Sequence, residues 1–472
     1  MNDDHCSVPF DPETSRAVLT LAPETPTPTT PAIGADMGAA PAGADTPRAA
    51  ARRAVEGIWR IEASRVVAAA MRLVRDFDTA EDLAQEALIA ALETWSERGI
   101  PDRPGAWLVT TVRRRALDWL RHRRTAAAKA GPLGFELDLR HETASDAHTA
   151  RIEADRDDPL GDELLALMFT ACHPLLAPEA RAALTLRTVG GLTTEEIARA
   201  YLTPVPTVAQ RIVRAKRTLT AARVPFEVPR GAELKARLAS VLEVLYLMFN
   251  EGYSATAGRD WMRPALAEEA LRLGRVLAGR MPRESEVQGL VALMELQGSR
   301  FPARLAPDGE PILLLDQDRG RWDRLLIRRG LAALARAERL PGPLGPYALQ
   351  AAIAACHARA TSASETDWPR IAALYDALAA TAPSPVVTLN RAVAVAMAFG
   401  PAAGLAIADA LTGDPALARY HLLPAVRGDL LFRLGRDEEA KNELERAAAL
   451  TRNDRERTLL LQRAAACRSA SR

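Results

Sequence analysis

Residues 191–219 constrain this chain more than any other stretch. They read Gly-Leu-Thr-Thr-Glu-Glu-Ile-Ala-Arg-Ala-Tyr-Leu-Thr-Pro-Val-Pro-Thr-Val-Ala-Gln-Arg-Ile-Val-Arg-Ala-Lys-Arg-Thr-Leu. Thr193 or Thr194 can cap a first helix, with Glu195 and Glu196 in the opening turn, where the helix dipole favours negative charge. Ile197, Ala198 and Tyr201 give that helix an inward side. Leu202-Thr203-Pro204 ends it, because proline disfavours helical geometry in the residue before it. Pro206 suits the first turn of a second helix, where a backbone donor has no partner anyway. Val208, Ile212, Val213 and Leu219 form its apolar stripe, and Gln210, Arg211, Arg214, Lys216 and Arg217 fan around the rest. A short helix, a corner and a basic second helix make the helix-turn-helix plan, which places the second helix in a DNA groove. The competing reading is a helical hairpin whose basic face only meets solvent.

The rest of the sequence limits how DNA would be held. The net charge is +1 over 472 residues, so any nucleic-acid surface must come from local clustering. Hydrophobic residues make up 48% and aromatics only 5%, with alanine abundant, which predicts close-packed helices. Cys6, Cys172, Cys356 and Cys467 lie far apart without metal-knuckle spacing, which suits a reducing cytoplasm and neither a zinc site nor a disulfide framework. No apolar run reaches the length of a membrane span, and the N-terminus lacks the pattern of a signal peptide. No metal or other cofactor is expected.

Along the chain, residues 1–50 are rich in Pro, Thr, Ala and Gly and read as a disordered tail. Residues 51–124 turn helical. After a stripe from Val55 to Leu73, Leu83, Ala87, Leu88, Ala91, Leu92 and Trp95 form one face of a helix. Asp78, Glu81, Asp82, Gln85 and Glu86 form its acidic opposite face, which either meets solvent or docks on a basic partner. A Gly/Pro loop at 96–104 precedes a helix over 105–124. There Arg113, Arg114, Arg115, Arg121, Arg123 and Arg124 stand against the single Asp118, the densest positive cluster in the chain and a pattern that suits phosphate tracking. Residues 125–159 read as a polar linker, and 160–223 as helices leading through the helix-turn-helix. Cys172-His173 offers two adjacent soft ligands, too few for a metal site.

Residues 230–345 read as a further helical domain, with a short hairpin expected around Asp308-Gly309. Glu251, Asp316, Asp318 and His357 have acid or base chemistry, but no spacing brings them together. No enzyme constellation is present. Over 346–472, Asp376-Ala-Leu378, Asp409-Ala-Leu411 and Asn442-Glu-Leu444 recur every 33 residues. That period with paired helices resembles tetratricopeptide repeats.

Three segments in order carry a family resemblance: AEDLAQEAL from Ala80, WLVTTVRRRALDWLRHRR from Trp107, and the helix-turn-helix at 191–219. The chain resembles bacterial extracytoplasmic-function sigma factors, and LYLMFNEGY at 245–253 is similar to the subgroup with a tetratricopeptide-like extension. The resemblance implies an all-α fold: two small sigma domains, the second a helix-turn-helix, followed by the helical extension. It implies core RNA polymerase and promoter DNA as partners, with an intramolecular or protein partner for the repeats and no membrane. Asp78, Glu81, Asp82, Gln85 and Glu86 match the polymerase-docking helix. The loop from Arg98 to Arg103 matches the capture site for a flipped −10 base, and Arg113, Arg114, Arg115 and Asp118 fall on the helix lining the melted strand. Thr207, Ala209, Gln210, Arg211, Val213 and Arg214 match the −35 recognition face, with Lys216 and Arg217 directed at phosphates. Arg114 and Pro206 stand where many relatives carry asparagine and glycine. A stand-alone helix-turn-helix regulator with a repeat sensor, and a repeat scaffold with no DNA role, remain alternatives; the first leaves residues 78–124 unexplained, the second both basic helices.

Overall fold

A computed structural model describes residues 47–129, 159–201, 203–254, 261–307 and 309–467. Among these residues the chain is helical, with one isolated β-bridge. It divides into two compact units: Pro28–Arg199 with Thr203–Val244 form one, and Leu245–Arg472 form the bulk of the other.

The first unit opens with α1 (Pro47–Val74), α2 (Phe77–Arg98) and α3 (Pro104–Lys129), which pack on one another. Their contact faces are built from small residues: Ala68, Ala69 and Ala70 of α1 and Ala80, Ala84, Ala87 and Ala91 of α2 are all buried. This is how an alanine-rich, aromatic-poor sequence makes a core, by bringing helix backbones close. Asp76 caps α2 by accepting from the Thr79 amide at 2.8 Å. The helix runs to Arg98, past the expected loop start at 96, and stops at Gly99, whose φ of 81° favours glycine. Trp95 meets Trp107 edge to face at 5.3 Å and clamps α2 to α3. α3 continues to Lys129, beyond the expected end at 124, α4 takes up residue 159 of the expected linker, and α1 begins at Pro47, inside the expected tail of 1–50; residues 1–46 and 130–158 lie outside the described residues.

Four further helices follow in this unit: α4 (Pro159–Ala171), α5 (Pro178–Thr188), α6 (Thr194–Ala200) and α7 (Val205–Ala221). α4 packs on α1 and on α5, and α5 packs on α7. Thr193 and Glu196 form a reciprocal cap at the start of α6: the Glu196 amide donates to Thr193 Oγ1 at 3.1 Å, and the Thr193 amide donates to Glu196 Oε2 at 2.8 Å. Pro206 sits in the first turn of α7. The helix α8 (Gly231–Tyr253) contributes its first part to this unit.

The second unit contains the rest of α8, then α9 (Pro264–Arg280), α10 (Ser285–Gly298), α11 (Arg324–Arg339) and α12 (Pro346–Arg359). α10 is buried from Val287 to Gly298 and packs on α9, α11 and α12. Gly289 permits the approach of α12, since a Cβ there would lie 2.6 Å from the Ala348 amide nitrogen. The hairpin expected around Asp308-Gly309 reduces to a single antiparallel bridge between Leu305 and Pro311, and Asp308 is outside the described residues. Pro302, Pro307 and Pro311 remove the donors that a longer ladder needs.

The chain then continues through α13 (Trp368–Thr381), α14 (Pro385–Phe399), α15 (Pro401–Ala410), α16 (Leu422–Arg433), α17 (Asp437–Leu450) and α18 (Asp454–Ala466), each packed on its predecessor. Asp376 and Asp409, one period apart, fall on α13 and α15 and accept from Arg391 and Arg427 of the following helices α14 and α16. Three of the acid and base residues named above, Glu251, Asp318 and His357, have close neighbours within this unit. Glu251 pairs with Arg263, and Asp318 caps the turn at Arg319 by accepting from Gly320. His357 is buried beside Trp368. No helix among the described residues is long and apolar enough to cross a membrane.

Candidate nucleic-acid interface

α7 has two distinct sides. Val208, Ile212, Ala215 and Leu219 are buried, while Thr207, Gln210, Val213, Arg214 and Arg217 are exposed and Ala209 and Arg211 are half-buried. Val213 leaves the expected apolar stripe because it lies five residues after Val208, off the three-and-four spacing that Ile212, Ala215 and Leu219 keep. The exposed residues offer an amide, two guanidinium groups, a hydroxyl and a methyl surface on one helix face, the chemistry that reads base edges in a major groove.

Lys216 departs from this arrangement. It is buried, not turned outward to phosphates, and its Nζ lies 2.9 Å from Asp78 Oδ1 and 3.1 Å from Glu81 Oε1. Its place on α7 explains the difference, since Lys216 follows Ile212 by four and Val208 by eight and so falls on the apolar stripe. The aliphatic stem lies along that stripe and the ammonium group reaches the carboxylates at its edge. Arg187 of α5 comes within 4.0 Å of Glu81 on the same side.

The acidic face of α2 is therefore divided. Asp78 and Glu81 pair with Lys216, Glu86 pairs with Arg115 at 2.6 Å, and Asp82 and Gln85 are exposed. The basic face of α3 is divided as well. Arg113 donates to Glu163 of α4 at 2.9 Å, and Arg115 is bound to Glu86. Arg98, Arg103 and Arg114 are exposed, and exposed Asp118 pairs with Arg121 one turn on. Arg123 lies over the Trp119 ring at 5.3 Å. The exposed arginines at 98, 103, 114, 121, 123 and 124 leave a basic surface along the loop and the end of α3.

Sequence reasoning misses Glu163. This carboxylate is 2% exposed and faces both Arg113 and Arg72, the latter at 3.7 Å. At the start of a helix an acid is ordinary, so nothing local marks it. Its place next to Leu164 and Leu165 is the one weak hint, and the structure shows why it has basic partners, since a buried carboxylate needs them. Cys172 is also buried; its Sγ lies 3.2 Å from Thr185 Oγ1, and burial pushes the thiol pKa up to about 11. Among the described residues no group of three or more His, Cys, Asp or Glu side chains is placed to hold a metal ion.

Three families match the chain: sigma-70 region 2 at residues 59–125, sigma-70 region 4 at residues 166–219, and a family of unknown function, DUF6596, at residues 237–338. The chain is similar to an uncharacterized protein of Rhizobium meliloti, 42% identical over 390 residues, which span 82% of this chain and 90% of that protein. It is also similar to the RNA polymerase sigma-H factor of Pseudomonas aeruginosa, 30% identical over 166 residues, which span 34% of this chain and 82% of that protein. No solved structure matches it.

Proposed function

We propose, from the premise that this chain belongs to the sigma-70 family of RNA polymerase sigma factors and is of the extracytoplasmic-function type, that it brings core polymerase to promoters through the surfaces described above. As a sigma factor it is a non-enzymatic transcription initiation factor, and its work is binding. The observation that carries the finer reading is the exposed face of α7. Gln210 suits a bidentate contact to adenine, and Arg211 and Arg214 suit guanine in the −35 element. Phosphate contacts from Arg217 set the register of the helix without choosing sequence.

The loop from Arg98 to Arg103 and the exposed arginines of α3 hold the −10 region. A base that leaves the stack is trapped there, and Arg114 with its neighbours tracks the backbone of the melted strand. The acidic face of α2, with Asp82 and Gln85 at its exposed centre, docks on polymerase. Near-neutral total charge fits such a division, because affinity is shared between DNA and polymerase.

Run-off transcription with purified core polymerase on a promoter library tests this reading. The chain is expected to direct initiation from a defined subset of promoters. A chain that binds DNA but never changes where polymerase starts would instead be a stand-alone regulator.

The helices from Leu245 onward are assigned a regulatory role, with tetratricopeptide-like pairs from residue 346. The support is the 33-residue period and the repeated ion pairs Asp376–Arg391 and Asp409–Arg427 on consecutive pairs. Removing residues 245–472 is expected to change transcriptional output at fixed sigma concentration. Equal output and equal polymerase affinity would end this assignment.

A further inference from the structure

In the second unit, α11 carries five arginines and one glutamate in 16 residues. Its inner side, Ile327, Gly330, Ala333, Leu334 and Ala337, is buried. Gly330 lets it approach α10 closely, since a Cβ there would lie 2.7 Å from Leu296 Cγ. Asp323 caps the helix by accepting from the Leu325 and Leu326 amides at 2.8 and 3.1 Å, so its carboxylate is engaged by the backbone. The outer side is basic: Arg324, Arg328, Arg329, Arg336 and Arg339 are all exposed. At about 100° per residue they fall within an arc of about 140° opposite the buried side, along about 22 Å of helix.

Among the described residues, none of the five lies within ion-pair distance of a carboxylate, and Arg336 donates to the Gln288 amide oxygen at 3.0 Å. The later helices of the same unit are built differently. Surface arginines there meet carboxylates, as Arg391 meets Asp376, Arg427 meets Asp409, Arg436 meets Glu439 and Arg457 meets Asp454. On α11, Arg324 with Arg328 and Arg336 with Arg339 are like-charge neighbours at helical spacing, which repel. The cap and the buried side hold the helix against that repulsion.

We propose that the exposed face of α11 is a further DNA-binding surface, which holds the phosphate backbone of duplex DNA without reading its sequence. This rests on the sigma-factor reading, which puts the chain on promoter DNA. The charges are complementary, and a guanidinium group binds phosphate oxygens through paired donors in a planar fork. A duplex presents a phosphate about every 3.4 Å along each strand, so the length of α11 spans several. α11 holds no asparagine or glutamine to read an adenine edge, and Leu325 and Ala332 stand between the arginines. Its apolar side is packed on α10 and leaves none to enter a membrane surface. Leu325 is the only exposed large apolar side chain of α11, and the helix has no aromatic residue of the kind that anchors protein interfaces.

Fluorescence anisotropy of a labelled duplex of unrelated sequence, titrated with the full chain over a range of salt, tests this. A variant with Arg324→Gln, Arg328→Gln and Arg329→Gln keeps good helix formers at exposed positions. It is expected to bind several-fold more weakly, with the slope of log K against log salt lowered by about 2–3. A second variant with the same change in net charge, Arg370→Gln, Arg419→Gln and Arg452→Gln, alters exposed arginines on other elements and is expected to keep the slope. Equal slopes and affinities in the unaltered chain and the α11 variant overturn the proposal. An equal fall in both variants also overturns it, as an effect of net charge alone. Weaker binding of the α11 variant to core polymerase or to phosphatidylserine vesicles, with duplex binding unchanged, overturns it and gives the face to an acidic protein or a lipid surface. A chain that directs transcription while its α11 variant binds duplex as before keeps the sigma reading and loses the α11 contact. A chain whose α11 variant alone loses duplex binding, but which never directs transcription, keeps the contact and loses the sigma reading.

Discussion

Arg237 of α8 donates a hydrogen bond of 2.8 Å to the main-chain carbonyl oxygen of Phe169 in α4. The contact is buried, and it belongs to a set. Arg181 of α5 donates to Ser240 and pairs with Glu243 at 3.0 Å, and Ser240 in turn donates to the carbonyl of Cys172. The first part of α8 thus supplies the partners of buried groups in region 4.

A chain ending at Arg223 should therefore be less stable than one ending at Val244. The shorter chain loses the hydrogen bonds that Arg237 and Ser240 make to the Phe169 and Cys172 carbonyls and the Ser240 and Glu243 partners of Arg181, each worth about 1 kcal/mol net. Urea unfolding of the two chains measures the difference. Equal midpoints would show that α8 is dispensable to region 4.

Arg214→Ala should weaken promoter binding by about 1–3 kcal/mol through loss of a base-edge contact. Arg214 is exposed, so helicity and association with core polymerase should stay as they are. Holoenzyme binding to promoter fragments with the −35 guanines replaced checks the assignment. The loss should vanish at the base that Arg214 reads, and a uniform loss across sequences would make it a phosphate contact.

Charge reversal at Asp82 should reduce affinity for core polymerase without a loss of stability. Asp82 is exposed on the face where Asp78, Glu81 and Glu86 are already paired within the chain. Surface charges of this kind contribute chiefly through steering and are screened by salt, so the defect should shrink as ionic strength rises. A pull-down at low salt equal to that of the unaltered chain removes Asp82 from the docking face.

Acid should destabilise the second unit through His357. Burial lowers its pKa well below the ordinary 6.5, and the nearby Arg300 and Arg319 lower it further. The unfolded chain then binds the proton more readily than the folded one. Stability is complete above about pH 6.5 and falls as pH drops towards the folded pKa, by at most about 1.4 kcal/mol per pH unit for one proton. Thermal unfolding of the chain and of His357→Gln between pH 7.5 and 5 tests this. The substituted chain should show the shallower dependence, and identical slopes would assign the acid sensitivity elsewhere.

Much of the architecture is legible in the sequence because it is local. The Thr193–Glu196 cap, the proline in the first turn of α7 and the outward run of Gln210, Arg214 and Arg217 all follow from residues within a few positions of each other. The same spacing would also have placed Lys216 inward, had its long stem been counted with the apolar stripe. The two faces of α2 are likewise legible, and so is the alanine packing of its buried side.

What the sequence by itself determined is the set of helices, their polar and apolar faces, and the ordered pair of segments that marks a sigma factor. What only the tertiary structure decided is which charges are engaged. Lys216 meets Asp78 across 138 residues and Arg113 meets Glu163 across 50. Helix faces come from interactions within a turn or two, where periodicity records them. An ion pair between distant segments depends on how whole helices dock, and a carboxylate carries no mark of the base it will meet.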